Sequence, residues 1–454
     1  MRLSYYGTSL SVSLADRRWL RIFTLCVLYV AQGIPWGFMA TTLPGYLVAR
    51  KLDFAFVTAA LSFTTLPYAF KWVWGPIIDS FTWRRFGRRR PWIIFAQAMM
   101  GLTIAAMIVL DVATQVKLLA WMVFLHTVFN ALQDVAVDAL AVDILPDNER
   151  GRANGLMYGA KYGGGALGGV GMAKLIAWHG LDFALIVQAC VLFAIMMVPL
   201  FVRERDGEAP PREPARSMAR ALQQAFSLRS TLVAALLMLG INFGIGLVGA
   251  SGFALFIGEL KWTYDEYAEI TGGWGLVAGC LCAAAAGILA DRLGRRRLAA
   301  IAVCGLATNW IVFAVMTSWW SSDVYIYTSA ILETAFTSTL SVAVITLCMD
   351  LSWPRVAGSQ FTAYMALSNF STTLGYQFAS TATKWWTFSG IWLVAAASLL
   401  GVSLLLLLID PGQTRRELPF PEGARLPRFG IVAMLVLLVF LIGMTGYVTL
   451  QKVG

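Results

Sequence analysis

Thirteen stretches of about twenty predominantly apolar residues punctuate the chain, each long enough to cross a bilayer as an α-helix. They fall at residues 20–48, 55–79, 91–111, 117–142, 153–174, 182–202, 231–259, 267–290, 298–318, 324–349, 357–382, 389–409 and 430–450. In hydrocarbon a chain must satisfy its own backbone N–H and C=O groups, which leaves helices for segments of this length. The balance of residues agrees: 58% are hydrophobic and 13% charged, against roughly 25% charged in a soluble domain. A length of 454 residues therefore reads as one polytopic bundle and not as about three soluble domains. The six cysteines all lie inside apolar runs, as small buried hydrophobes and not as a disulfide framework. The N-terminal stretch has no apolar h-region followed by a cleavage site, so the first run is expected to stay as a helix.

A net charge of +10 could suggest nucleic acid. The positions of the arginines argue otherwise, because they sit in short blocks between apolar runs. With the N-terminus in the cytoplasm, 26 of the 35 Lys and Arg residues fall in cytoplasmic segments and 7 on the other side. That asymmetry, alternating through thirteen segments, is what orients helices in a membrane. Lys71 and Lys161 belong to neither side and lie within spans.

The chain also repeats itself. "GPIIDSFTWRRFGRRR" closes the second span and "GILADRLGRRR" the eighth, with Gly75 to Gly287 and Asp79 to Asp291 both 212 residues apart. A period of half the bundle marks a duplicated six-helix unit. The expected organisation is an all-α membrane protein of two pseudo-symmetric six-helix bundles, residues 1–202 and 231–410, joined by a cytoplasmic linker, 203–230. A second cytoplasmic linker, 411–429, leads to an extra helix within 430–454.

At these residues the sequence resembles the major facilitator superfamily, whose loop motif G-x-x-x-D-x-x-G-R-R recurs between helices two and three and between eight and nine. Asp291 to Arg296 fits that spacing, and Asp79 to Arg89 fits it with an insertion of five. "LPDNERGRANG" is similar to the Pro-acidic-x-Arg-Gly loop common there. "LPYAFKWVWGPIID" and "LQDVAVDALAVDILPDNERG" resemble the corresponding segments of AmpG-type permeases and their acetyl-CoA transporter relatives, with Leu132 where those carry Thr. The resemblance implies the major facilitator fold and proton-driven import of muropeptides, or movement of siderophores or other metabolites by a related branch. It also implies a gating motif of Gly75, Asp79, Gly87, Arg88, Arg89, Asp143, Gly287, Asp291, Gly294, Arg295 and Arg296.

Buried charge is the other signal. A carboxylate at bilayer depth costs roughly 2.5–3.5 kcal/mol on insertion scales, and "NALQDVAVDALAVDIL" holds Asp134, Asp138 and Asp143. Counting about 1.5 Å per residue, Asp134 lies roughly 25 Å into the fourth span, Asp138 at its inner edge and Asp143 beyond. Lys71, roughly 22 Å into the second span, has nearly the depth of Asp134. The two are expected to pair, either as a static packing contact or in a substrate or gating role. Lys161 could meet a substrate anion or neutralise Asp134. His126, Asn130, Asp134 and Asp138 recur every four residues as one polar stripe. Asp134, Asp138, Glu333 and His126 are the candidates for proton coupling. Gln133, Asn130, Tyr68, Gln360, Asn369, Thr373 and Gln377 are candidates for the substrate cavity. Gly155 to Gly171 make the fifth span small-sided, either for tight packing or for sliding.

The function expected from these readings is a proton-coupled secondary transporter of a medium-sized polar organic solute, muropeptide-like by resemblance. It would work as a monomer in a bacterial inner membrane, with its N-terminus cytoplasmic, driven by the proton gradient without a cofactor. A siderophore or other metabolite carrier is the alternative, and a non-transporting sensor the remote one. No paired nucleophile and base marks an intramembrane enzyme, and no phosphate-binding loop marks an ATP-driven pump. Two histidines are too few for a metal site.

Overall fold

A computed structural model describes residues 12–50, 66–83, 86–110, 114–205, 215–263, 266–267 and 269–419, with scattered positions between 432 and 443. Its first half contains α1 (Arg18–Gly37), α2 (Leu43–Ala49), α3 (Leu66–Phe70), α4 (Trp74–Ser80), α5 (Arg90–Met107), α6 (Val116–Ile144), α7 (Arg150–Ala166), α8 (Met172–His179) and α9 (Leu181–Phe201). A connecting helix, α10 (Ala215–Phe226), leads to α11 (Arg229–Gly240), α12 (Phe243–Phe253), α13 (Gly275–Leu293), α14 (Arg295–Val315), α15 (Asp323–Leu351), α16 (Ala357–Trp385), α17 (Phe388–Ser403) and α18 (Gln413–Glu417). The only sheet among the described residues is a two-residue parallel ladder, Val12–Ser13 on Val202–Arg203.

Among the described residues, eight helical stretches are long and apolar enough to cross a membrane: Arg18–Leu47, Val116–Ile144, Leu181–Phe201, Arg229–Glu259, Glu269–Leu293, Arg295–Val315, Asp323–Leu351 and Phe388–Glu417. The third, fifth and eleventh expected spans are helical as α5, α7 and α16, but arginine, glycine and hydroxyl residues lower their hydropathy. The first part of the second, residues 55–65, lies outside the described residues, as does most of the thirteenth at 430–450. The described end of the second is not one helix. It narrows to a 3-10 turn at Lys71–Val73 between α3 and α4.

The halves are built alike. α7 packs on α1 as α16 packs on α12, and α6 packs on α5 as α15 packs on α14. The halves meet where α7 crosses α13 and where α4 crosses α16. Glycine lets the backbones touch at both places. A Cβ on Gly155 would stand 2.6 Å from Gly287 Cα, and one on Gly75 would stand 2.6 Å from the Gly358 carbonyl oxygen. Both contacts are closer than side chains permit, so the crossings require residues without one. Arg88–Arg90, Arg150, Arg295–Arg297, Arg355 and Arg415 gather at one end of the bundle, here called the arginine end.

Candidate functional site

At the arginine end, two carboxylates each reach across the interface to the first turn of a helix in the other half. Asp79, the penultimate residue of α4, accepts from the N–H groups of Gly358 at 3.2 Å and Ser359 at 2.7 Å, and from Ser359 Oγ at 2.9 Å. Asp291, near the end of α13, accepts from the N–H groups of Gly151 at 3.0 Å and Arg152 at 2.8 Å. A helix N-terminus presents unpaired N–H groups and a partial positive charge, so a carboxylate is its natural partner.

Arginines complete both contacts. Arg89, fully buried, places Nη1 2.7 Å from Asp79 and donates from Nε to Asp143 at 2.8 Å. Arg88 sits 3.3 Å from Asp79 and donates to the carbonyls of Pro354 at 3.2 Å and Arg355 at 2.8 Å. In the other copy Arg295 lies 3.3 Å from both Asp291 and Asp350, and Arg150 lies 3.1 Å from Asp350. Gly87 and Gly294 turn the chain into α5 and α14 at φ +105° and +88°, a region that disfavours other residues. Arg296 donates to the Leu407 carbonyl at 3.4 Å. Asp147 pairs with Arg150 and Arg415.

Two participants escaped the sequence reading. Asp350 is the counterpart of Asp143 at the end of α15, and the 212-residue repeat pointed to that neighbourhood. Glu204, just past β2 (Val202–Arg203), accepts from the backbone N–H of Arg88 at 2.9 Å and Arg89 at 2.7 Å, capping α5. Nothing local marks Glu204, because the contact spans more than one hundred residues of chain.

Between the halves lies a cavity of about 680 Å³. Its first-half wall carries charge. Asp134 stands 3.3 Å from Lys71 Nζ and 3.6 Å from Lys161 Nζ, so one carboxylate faces two ammonium groups. Lys71 and Asp134 are 5% and 6% exposed, whereas the Lys161 side chain is 28% exposed, making Lys161 the open cation of the cluster. Its Nζ also lies 5.7 Å from the centre of the Tyr29 ring. The Tyr29 hydroxyl donates to Asp138, which lines the cavity beside Asp134. Trp36, Tyr68 and Tyr158 add aromatic surface.

The second-half wall is polar without charge. Asn242, Ser341, Ser368, Asn369, Thr372, Thr373, Tyr376 and Gln377 line it, with Asn242 donating to Ser368 Oγ at 2.6 Å. A polar solute with an anionic group could therefore meet an ammonium on one side and hydroxyls and amides on the other.

Several candidates lie elsewhere. Gln133 is buried inside the first half, donating to Gln97 at 3.0 Å and to the Leu28 carbonyl. One residue from Asp134 is about 100° around the helix, which turns it from the cavity. His126 bonds Thr103 at 2.9 Å, and neither it nor the buried Asn130 lines the cavity. A stripe repeating every four residues drifts on a 3.6-residue helix, so its upper members leave the face its lower members share. Gln360 is spent near the arginine end, accepting from the Trp353 N–H at 2.9 Å and donating to the Leu351 carbonyl at 3.0 Å. Glu333 lines a different, smaller cavity.

The family model described as Major Facilitator Superfamily matches residues 22–376. The chain is 25% identical over 368 residues to the Escherichia coli anhydromuropeptide permease, covering 77% of this chain and 73% of that protein. Among solved structures, the human organic anion transporter TETRAN superposes with a TM-score of 0.67 at 13% identity, over 85% of this chain and 98% of that one. The E. coli fucose:proton symporter gives 0.66 at 11% identity, over 86% and 98%.

Proposed function

The chain belongs to the Major Facilitator Superfamily, and from that premise we propose that it is a proton-coupled secondary transporter of anhydromuropeptide-like solutes in a bacterial inner membrane. Its family is one of multi-pass transporters, so what is proposed here is the solute, the proton and the membrane. The N-terminus and the arginine end are cytoplasmic in this reading, which follows the distribution of Lys and Arg.

One observation carries the proposal: the Lys71–Asp134–Lys161 cluster facing a neutral wall of hydroxyls and amides across about 680 Å³. Lys161 shares Asp134 with Lys71, so it has attraction to spare for a carboxylate on the solute. The sugar-like and peptide parts of such a solute match the donors and acceptors of Asn242, Asn369, Thr373 and Gln377. A solute anion drawn to Lys161 and a proton taken up by a buried carboxylate would then act on one conformational equilibrium, which is a physical route to coupling. Similarity to the E. coli anhydromuropeptide permease supports the solute class.

The cycle follows from the interface. With the Asp79 and Asp291 contacts closed at the arginine end, solute enters from the periplasmic side. Breaking them lets the 1–202 and 231–410 bundles rock about the glycine crossings and release it into the cytoplasm.

The test is uptake by the purified full chain in proteoliposomes. A radiolabelled anhydromuropeptide should accumulate several-fold when the outside is made acidic, and a protonophore should abolish the effect. Uptake indifferent to the gradient would remove the proton, and no uptake at all would remove the solute.

A further inference from the structure

The second half encloses a second cavity of about 160 Å³ that shares no lining residue with the central one. Phe313, two residues from the end of α14, and Ile326, three residues into α15, line it. Trp392, four residues into α17, lines it as well. These positions put it at the end of the bundle away from the arginines. Its walls are largely aromatic and small, with Phe256, Tyr267, Gly249 and Gly252 among them. Glu333 is the only acidic or basic side chain among its described lining residues.

The groups facing Glu333 are few. Tyr267 lines the same cavity before α13, and Tyr376 on α16 is near enough to feel the carboxyl's charge. No lysine, arginine or histidine is among the described residues that line the space. Asp134 is different, since two ammonium groups balance it. At Glu333 an arriving proton cancels a charge that no described side chain lining the cavity cancels, which is the cheapest way to keep a carboxyl inside a membrane bundle.

Tyr376 joins this space to the solute. It lines the central cavity, while its hydroxyl lies 3.2 Å from where a Cβ on Gly249 would stand, and Gly249 lines the small cavity. The ring therefore lines the central cavity with its hydroxyl beside a residue that lines the small one.

We propose that the small cavity is a proton vestibule separate from the solute cavity, with Glu333 as the proton-accepting group and Tyr376 as the wall that relays its charge state. A hydronium reaching the vestibule from the far end gives its proton to a Glu333 carboxylate oxygen; one O–H bond forms there and water leaves. The loss of charge behind Tyr376 changes the electrostatics of the wall that Thr373 and Gln377 share with it. This rests on the proton-coupled reading above, and deepens it by giving proton and solute different routes.

The experiment uses the full chain in proteoliposomes with an anhydromuropeptide as probe. If wild type does not answer the pH gradient, the parent reading fails. If it does, Glu333→Gln should lose at least 10-fold of gradient-driven accumulation while counterflow exchange falls by a much smaller factor, and Glu333→Asp should recover part of the loss. Glu333→Gln that keeps gradient-driven accumulation within two-fold of wild type overturns the inference. A second readout does not need that variant to fold. Ala330→Cys, in the small cavity, and Thr373→Cys, in the central one, are labelled with a membrane-impermeant maleimide over the background of the native cysteines. Saturating muropeptide should slow Thr373→Cys by several-fold and leave Ala330→Cys unchanged; equal protection of both would show one continuous cavity and end the proposal.

Discussion

Asp134 is held by Lys71 at 3.3 Å and Lys161 at 3.6 Å, a carboxylate between two cations in a nearly closed place. Removing one partner of a buried pair leaves an uncompensated charge, at about 3–5 kcal/mol. Asp134→Asn should therefore lower the melting temperature in detergent markedly and reduce uptake at least 10-fold. The double variant Lys71→Met/Asp134→Leu removes both charges of the pair, and should regain most of the stability without regaining transport. Recovery of transport as well would reduce the pair to a packing device. Depth counting from sequence brought Lys71 and Asp134 together because both positions are fixed by the same rise per residue. It did not separate Asp134 from Gln133 or Asn130, since depth says nothing of the angle around a helix. Nor could it find Glu204, whose carboxylate accepts from the N–H groups of Arg88 to Arg90, more than one hundred residues away.

The elements show where a sequence period stops being informative. Glycines at 155, 159, 163 and onward made the fifth span readable as a close-packing helix, and α7 does lie against both α1 and α13. The 3-10 turn at Lys71–Val73 and the π-helical turns at Phe38–Thr42 and Leu167–Gly171 were not readable, because local pitch changes leave the apolar content of a span untouched. At the α7–α13 crossing a Cβ on Gly155 meets backbone, 2.5 Å from the Ala283 carbonyl oxygen, so no side chain can yield. Gly155→Ala should force the helices apart, destabilising the protein by about 1–3 kcal/mol as overpacking does. Transport should fall with it, because the proposed cycle pivots on the same crossing. Gly45→Ala, where a Cβ meets nothing within 4 Å, is the matched control and should behave as wild type in thermal unfolding and uptake.

For the whole molecule, the 212-residue repeat is the feature in which sequence and architecture agree most directly. Each copy supplies one carboxylate, Asp79 or Asp291, and each carboxylate bonds backbone N–H groups in the opposite half. The sequence showed the copies but not the crossing, since a motif does not say which helix it caps. The crossing determines the energetics. Hydrogen bonds to a charged group are worth about 1.5–3 kcal/mol each, and in the proposed cycle both sites act on one equilibrium between a closed and an open arginine end. Asp79→Asn and Asp291→Asn should each weaken the closed end, and the double variant should weaken it by more than either. A net loss of about 2.7 kcal/mol would shift the balance of the two states roughly 100-fold. Ser352→Cys reports on this, because Ser352 is 2% exposed at the arginine end when it is closed. In inside-out vesicles, a membrane-impermeant maleimide should label Ser352→Cys at least 10-fold faster in the double Asn background, while uptake driven by the gradient falls. If labelling stays at the single-variant rate while uptake falls, the two carboxylates do not hold the end shut, and their common geometry serves assembly of the halves instead.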